Sequence, residues 1–294
     1  MIRVWLLLAL GALLPLAAFE SFRIGFYQPS SKAMNSTDFK IGMEIWLKEM
    51  AGQYGIDTRT YYYKDPKKLA EAFRDKTINM AVATPLVFVR YFDKKLMVPG
   101  VVGFKTSKEK SSKMLVLVRK EDRRKPLALL LRRPVAIPRI ADNGRLFLRY
   151  QCLRHGIRRP LKFLKLQNGG QAILKLFFKK SDIAVVSQAT FDMAAELNPQ
   201  VKERLEPYMK ADLPIGSFTY IRRGIDPRLY RTIIEHALKM PDTPRGKQVL
   251  ILFQTDTVEV CNVHDLDSTE RFYKMYRHLL QRRAKRASGA SRHE

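Results

Sequence analysis

Two Cys-x-x-His pairs, Cys152 with His155 and Cys261 with His264, come nearest to a recognisable chemical spacing in this chain. Together they supply four groups of the kind that bind zinc. The pairs are far apart in sequence, so a shared site requires the fold to bring them together, and neither carries the second Cys of a haem-attachment motif. No metal and no cofactor are expected. Two cysteines are also too few for a disulfide framework, and two separate buried thiols are the simpler reading. Charge carries the other chemical signal. Lys and Arg number 54 against 28 Asp and Glu, a net +26. Between Arg119 and Lys180 there are 18 basic residues against only Glu121, Asp122 and Asp142. Such a field attracts small anions, acidic lipid headgroups or nucleic acid; the plainer alternative is a solvated basic surface.

The elements that must position these groups follow from pattern. Arg3 precedes an apolar run of 15 residues, Val4 to Ala18, closed by Leu16-Ala17-Ala18. This order predicts a secretory signal peptide over 1–18, because the run is shorter than a bilayer-spanning helix needs. A retained anchor is the alternative. Residues 21–27 alternate as a strand, and Ile41, Ile45, Trp46, Leu47 and Met50 mark a helix face. Thr58 to Tyr63 reads as a strand; Asp65-Pro66 then caps and opens a helix. A short strand over 79–83 runs into a helix over 86–92, and a strand over 114–119 leads into the basic region. A fresh strand-helix alternation occupies 134–197, followed by a strand over 217–222 and helices near 227–239, 244–253 and 268–281. The tail 282–294 is basic and polar and is expected to be disordered. Alternation of this kind predicts an α/β protein with largely parallel sheets covered by helices.

Several segments together resemble a known family: F-R-I-G-F-Y at 22–27, L-A-E-A-F-R-D-K-T-I-N-M-A-V-A-T-P-L at 69–86, R-P-V-A-I at 133–137, A-I-L-K-L-F-F-K-K-S-D-I-A-V-V-S at 172–187 and T-P-R-G-K-Q-V-L-I-L-F at 243–253. Their order and spacing resemble the periplasmic solute-binding proteins of ABC importers, in the phosphate/phosphite/phosphonate-binding, PhnD-like branch. The resemblance implies a type II-like fold of two α/β lobes joined by two hinge crossings, with ligand held in the cleft between them. Lobe 1 would comprise 19–117 plus 217–281, and lobe 2 would comprise 118–216. Open α/β sheets bind ligands at the carboxyl ends of their strands, which points to the same cleft.

The resemblance also nominates a site. Phosphonate binders of the family hold the oxyanion on a Ser-Thr-Ser-Gly turn that opens a helix. The matching stretch here is Ala141-Asp142-Asn143-Gly144, which keeps Gly144 and loses every hydroxyl. Asp142 would repel a phosphate there, or else caps the helix. Arg139 and Arg145 flank the turn and could restore anion binding. The family's tyrosines at the third strand end and at a helix start are replaced by Ala83 and Pro66. The candidate ligand-binding residues are therefore Tyr27, Ser30, Ser31, Thr84, Arg139, Asn143, Gly144, Ser187 and Gln188. Each has a bland counterpart, such as a helix cap for Thr84 or a lid over the core for Tyr27.

Three function classes compete. A non-enzymatic, monomeric binding protein outside the cytoplasm would deliver a small anionic solute to an ABC permease or a membrane sensor. It could also act by ligand sensing or electrostatic surface binding with no transporter. A thiamin-pathway-type enzyme on the same fold would need a cysteine or histidine in the cleft. Cys152 is expected inside a helix and Cys261 in a late loop, neither at a strand end beside a base, so no catalytic residue is nominated. Acidic membrane surfaces suit the charge, whereas specific nucleic-acid recognition lacks any accompanying motif.

Overall fold

The computed structural model describes residues 21–28, 41, 44, 51, 56–104, 113–252 and 255–290. The expected signal peptide, Ser30, Ser31 and most of the first expected helix lie outside them. In chain order the elements are β1 (Phe22–Tyr27), β2 (Thr58–Tyr63), α1 (Pro66–Arg74), β3 (Met80–Ala83), α2 (Pro85–Tyr91), β4 (Met97–Phe104) and β5 (Met114–Arg119). The second unit continues with α3 (Leu127–Leu130), β6 (Val135–Pro138), α4 (Asp142–Arg154), β7 (Phe163–Leu166), α5 (Gly169–Phe177), β8 (Ala184–Ser187), α6 (Gln188–Leu197), α7 (Gln200–Arg204) and β9 (Leu205–Ala211). The chain ends with β10 (Phe218–Arg222), α8 (Pro227–Lys239), α9 (Pro244–Leu252), β11 (Thr257–Cys261) and α10 (Asp267–Ala290).

Two sheets organise the two lobes. One has six strands in the order β11-β4-β10-β3-β1-β2, and the other five in the order β7-β6-β8-β5-β9. Parallel pairing joins β1 to β2 and β3, and β6 to β7 and β8; the remaining pairs are antiparallel. The sheets are thus mixed, where alternation alone suggests largely parallel ones. The strands missed by pattern were β4, β9 and β11. Pro99, Gly100 and Gly103 give β4 the look of a loop, yet a Cβ on Gly100 would stand 2.2 Å from the Thr219 carbonyl oxygen of neighbouring β10. Pro207 breaks the pattern of β9, and it is tolerated because β9 is an edge strand with a register irregularity opposite Val116/Leu117.

β5 shows how the second core is filled. It is buried along its length and apolar from Met114 to Val118, so Met114, Val116 and Val118 pack on one face and Leu115 and Leu117 on the other. β4 lies in the first sheet and β5 in the second. β9 belongs to the second sheet and β10 to the first, and residues 212–217 join them.

The last helix departs most from expectation. It does not stop at Gln281 but continues to Ala290. Arg282-Arg283-Ala284-Lys285-Arg286-Ala287 are good helix formers, so nothing in this stretch halts a helix already propagating. Nor does α10 belong to lobe 1 alone. Leu266, just before it, sits in the first lobe's core, and Lys94 ties Asp267 (3.2 Å) and Glu270. Phe272 packs on the second lobe against Phe147 and Tyr150, with ring centroids 5.8 and 5.1 Å apart.

Glu270 gives this crossing a pH signature. Hydrogen bonds from Lys274 and then Lys94 hold its carboxyl at about 2, well below the ordinary glutamate value of 4.5. A depressed folded-state value stabilises the fold above the unfolded value, and that contribution disappears as pH falls through the folded one. Glu270→Gln is therefore expected to lower stability by less than about 1 kcal/mol at neutral pH, since the group is partly exposed. The difference from wild type should close between about pH 4.5 and pH 2, read by urea melts at several pH values.

Both cysteines are buried thiols outside any disulfide, Cys152 in the core of lobe 2 and Cys261 in that of lobe 1. Cys261 ends β11 rather than sitting in a loop, and its thiol donates to the Tyr220 hydroxyl at 3.2 Å. Burial pushes the Cys152 thiol up. Neither thiol should react with an aromatic disulfide reagent in the native protein at neutral pH, and both should react after unfolding without reductant. Rapid native labelling of either would contradict this packing.

Candidate functional site

The carboxyl ends of β1, β3 and β6 bring polar groups from both lobes together. Thr84 follows β3, is 3% exposed and occupies the N-cap position of α2. Its hydroxyl makes no cap bond; instead Oγ1 donates to Asp142 Oδ2 at 2.8 Å, from one lobe to the other. Asp142 is the first residue of α4, whose N-cap is Ala141 without a side-chain bond. The expected helix-capping role of Asp142 is thus replaced by a contact across the cleft. The carboxylate stands at the helix start, where the macrodipole favours negative charge.

Arg145, one turn further along α4, supplies the opposing charge. Its Nη1 donates to the Arg139 carbonyl at 2.9 Å and stands 3.6 Å from Asp142 Oδ1, beyond hydrogen-bonding distance. The guanidinium also faces the Phe163 ring at 5.5 Å. Burial is the main cause that lowers its pKa; Asp142 opposes the shift, while Arg149 and Arg139 add to it. One carboxylate therefore serves a desolvated arginine that has two more arginines within electrostatic range. Tyr27, at the end of β1, is half-buried beside them. Burial first, and then the charge of Asp142 and Tyr91, raise its phenol, against the pull of Arg145 and Arg90.

Asn143 and Gly144 serve the fold instead of facing the cleft. Asn143 is 2% exposed, and its Nδ2 donates to the Pro214 carbonyl and to Thr269 Oγ1, both at 2.9 Å. A Cβ on Gly144 would meet Val185 Cγ1 at 2.7 Å, so this glycine lets α4 lie close to its sheet. Ser187 caps α6, accepting from the Thr190 amide at 3.1 Å, and Gln188 Nε2 donates to Asp192 Oδ1 at 2.7 Å. Both are spent on the start of that helix. Of the nominated residues, Tyr27, Thr84 and Arg139 gather around Asp142 and Arg145.

Sequence reading passed over Arg90, Tyr91 and Thr269. Arg90 and Tyr91 end α2, away from any strand end, and Arg90 lies 4.9 Å from the Tyr91 ring centroid and 5.7 Å from that of Tyr273. No local pattern marks such residues. Among the described residues no group of three or more His, Cys, Asp or Glu could hold a metal ion, and the two Cys-x-x-His pairs stay in separate lobes. The arrangement sets Asp142 and the desolvated Arg145 side by side, with Thr84 of the other lobe bonded to the same carboxylate. Among the described residues around it, no nucleophile is poised beside a base.

Comparisons with known proteins agree with this architecture. A family model described as "ABC transporter, phosphonate, periplasmic substrate-binding protein" matches residues 33–266. No curated protein sequence matches the chain. Among solved structures, a binding-protein component of an ABC phosphonate transporter from Pseudomonas aeruginosa is 15% identical, with a TM-score of 0.58 over 88% of this chain and 87% of that one. A Xanthomonas citri protein solved bound to ATP is 13% identical, with a TM-score of 0.59 over 89% and 98%. PhnD1 of Prochlorococcus marinus, solved with methylphosphonate, is 12% identical, with a TM-score of 0.57 over 87% and 97%. At these identities the likeness is one of fold.

Proposed function

We propose, from the premise that this chain belongs to the phosphonate family of periplasmic substrate-binding proteins of ABC transporters, that it captures a small anionic solute between its lobes. The family is one of periplasmic substrate-binding proteins, which supports a binding role and a location outside the cytoplasm. Among the described residues no helix is long and apolar enough to cross a membrane. Residues 1–18 act as the export signal in this reading, and an ABC permease receives the solute.

One observation carries the choice of an anion. Arg145 is desolvated in the cleft with Asp142 as its only ion-pair partner among the described residues, and Arg149, Arg139 and Arg90 add to the field. An oxyanion taking bidentate hydrogen bonds from Arg145 relieves that excess. Tyr27 and Thr84 offer hydroxyls to the same ligand once the Thr84 to Asp142 bond opens. Asp142 disfavours a dianion directly at the start of α4, so a monoanion, or an anion seated toward Arg139, suits the geometry better than the dianionic phosphate group.

A thermal-shift series with phosphate, phosphite, methylphosphonate, sulfate and acetate tests the reading. At about a hundredfold excess over Kd, a ligand adds about 2.7 kcal/mol and raises Tm by about 5 °C or more in a protein of this size. At least one of these anions should do so, and no shift with any of them overturns the assignment.

A further inference from the structure

A second basic site lies away from the cleft, where the C-terminal turn of α4 meets α10. A cavity of about 250 Å³ is lined by Leu153, Arg154, Leu279, Arg282 and Arg283. Three of its five lining residues are arginines and none is acidic. No salt bridge engages Arg154, Arg282 or Arg283 among the described residues, although the chain carries many such pairs elsewhere. Positive charges crowded at one groove repel each other, and an uncompensated cluster of this kind is a standing attraction for phosphate oxygens.

The surroundings decide what kind of phosphate. On the outer side of α10 the exposed residues Arg271, Arg277 and Lys285 form a basic stripe, with Lys274 among them paired to Glu270 at 2.7 Å. Apolar groups project beside it, with Met275 52% and Leu280 37% exposed. A helix with cationic side chains around exposed apolar ones fits a bilayer interface, where headgroup phosphates and the upper acyl region lie side by side. A freely diffusing small anion needs only the charges and leaves Met275 and Leu280 without a use. The net charge of +26 supplies long-range attraction toward the same kind of surface.

We propose that the groove of Arg154, Arg282 and Arg283, with the outer face of α10, docks this protein on an anionic phospholipid surface by binding headgroup phosphates. The site is separate from the cleft, so docking and solute capture do not compete for the same arginines.

Cosedimentation of the full chain with vesicles tests this, using phosphatidylcholine alone or mixed with phosphatidylglycerol at near-physiological salt. Wild type should bind only the mixed vesicles. Arg154→Gln/Arg282→Gln/Arg283→Gln should weaken binding at least about tenfold, since each cation near an anionic surface contributes substantially. A control of equal charge loss, Arg228→Gln/Arg231→Gln/Lys239→Gln on α8, should weaken it less than about threefold. Unchanged melting temperatures and an unchanged thermal shift with the cleft anion would show that both variants are folded and that the result is independent of the cleft reading. Equal loss in the two variants would mean a diffuse field and overturn the proposal. So would displacement by millimolar inorganic phosphate at constant ionic strength, which marks a free-anion pocket. Groove-dependent binding to duplex DNA as tight as to the mixed vesicles would likewise reassign the site.

Discussion

Arg145→Gln weakens binding of the cleft anion by about 2–5 kcal/mol, roughly thirtyfold to a few thousandfold, because it deletes one partner of a desolvated charge pair. The melting temperature without ligand should change little or rise, since the substitution removes a buried cation whose compensation is incomplete. Asp142→Asn is expected to act in the opposite direction. It leaves an amide that can still accept from Thr84 while deleting the negative charge at the start of α4, and anion affinity should rise about tenfold. Isothermal titration of the two variants with the best anion of the thermal-shift series measures both. If both substitutions moved affinity in the same direction, the charge argument for the cleft would fail.

Arg119→Met should cost about 3–5 kcal/mol of stability, the largest single effect expected in the molecule. Arg119 leaves the end of β5 almost wholly buried and bonds Asp182 at 2.7 Å and the Ser181 carbonyl at 2.8 Å; its Nη2 also meets Asp122. Asp122 is itself 2% exposed, with Lys125 at 2.6 Å. Burial alone would raise the Asp122 carboxyl, but the Lys125 hydrogen bond and the charge of Arg119 outweigh it and hold it below the ordinary range. Methionine fills a similar volume but strands that carboxylate with one partner in an apolar setting. The same linkage predicts that wild type loses the contribution of Asp122 as pH falls below the unfolded carboxylate value, about 3.8, and through the lower folded one. Arg119→Met should show a weaker acid dependence. Equilibrium urea unfolding at neutral and acid pH reads both effects, and a loss below about 1 kcal/mol would show that the network is not coupled as described.

Much of this architecture was legible in one dimension. Asp65 before Pro66 foretold a capped helix, and the Asp65 side chain does accept from the Lys67 amide at 2.9 Å. Strand–helix alternation located nearly every element from Val135 to Leu197, because each of those helices buries one face and β6 and β8 sit in short apolar runs. The candidate site was legible only in part. Tyr27, Thr84 and Arg139 follow strand ends, where α/β folds gather polar groups, and they do assemble. Ser187 and Gln188 follow a strand end as well, yet Ser187 is consumed by the first turn of α6, since a hydroxyl there can equally satisfy an orphan helix amide, and Gln188 donates to Asp192 one turn along.

The amino-acid order sufficed for what depends on neighbours along the chain: element type, helix caps, the apolar faces, and the family to which the two lobes belong. Three things needed the folded chain. The antiparallel strands β4, β9 and β11 take their state from partners far away in sequence, which override the proline and glycines of β4 and the proline of β9. The path of α10 across both lobes depends on where Phe147, Tyr150 and Lys94 already stand. The role of Asp142 turns on an oxygen 58 residues away in sequence, Thr84 Oγ1, because hydrogen bonding reads distance in space and local pattern does not.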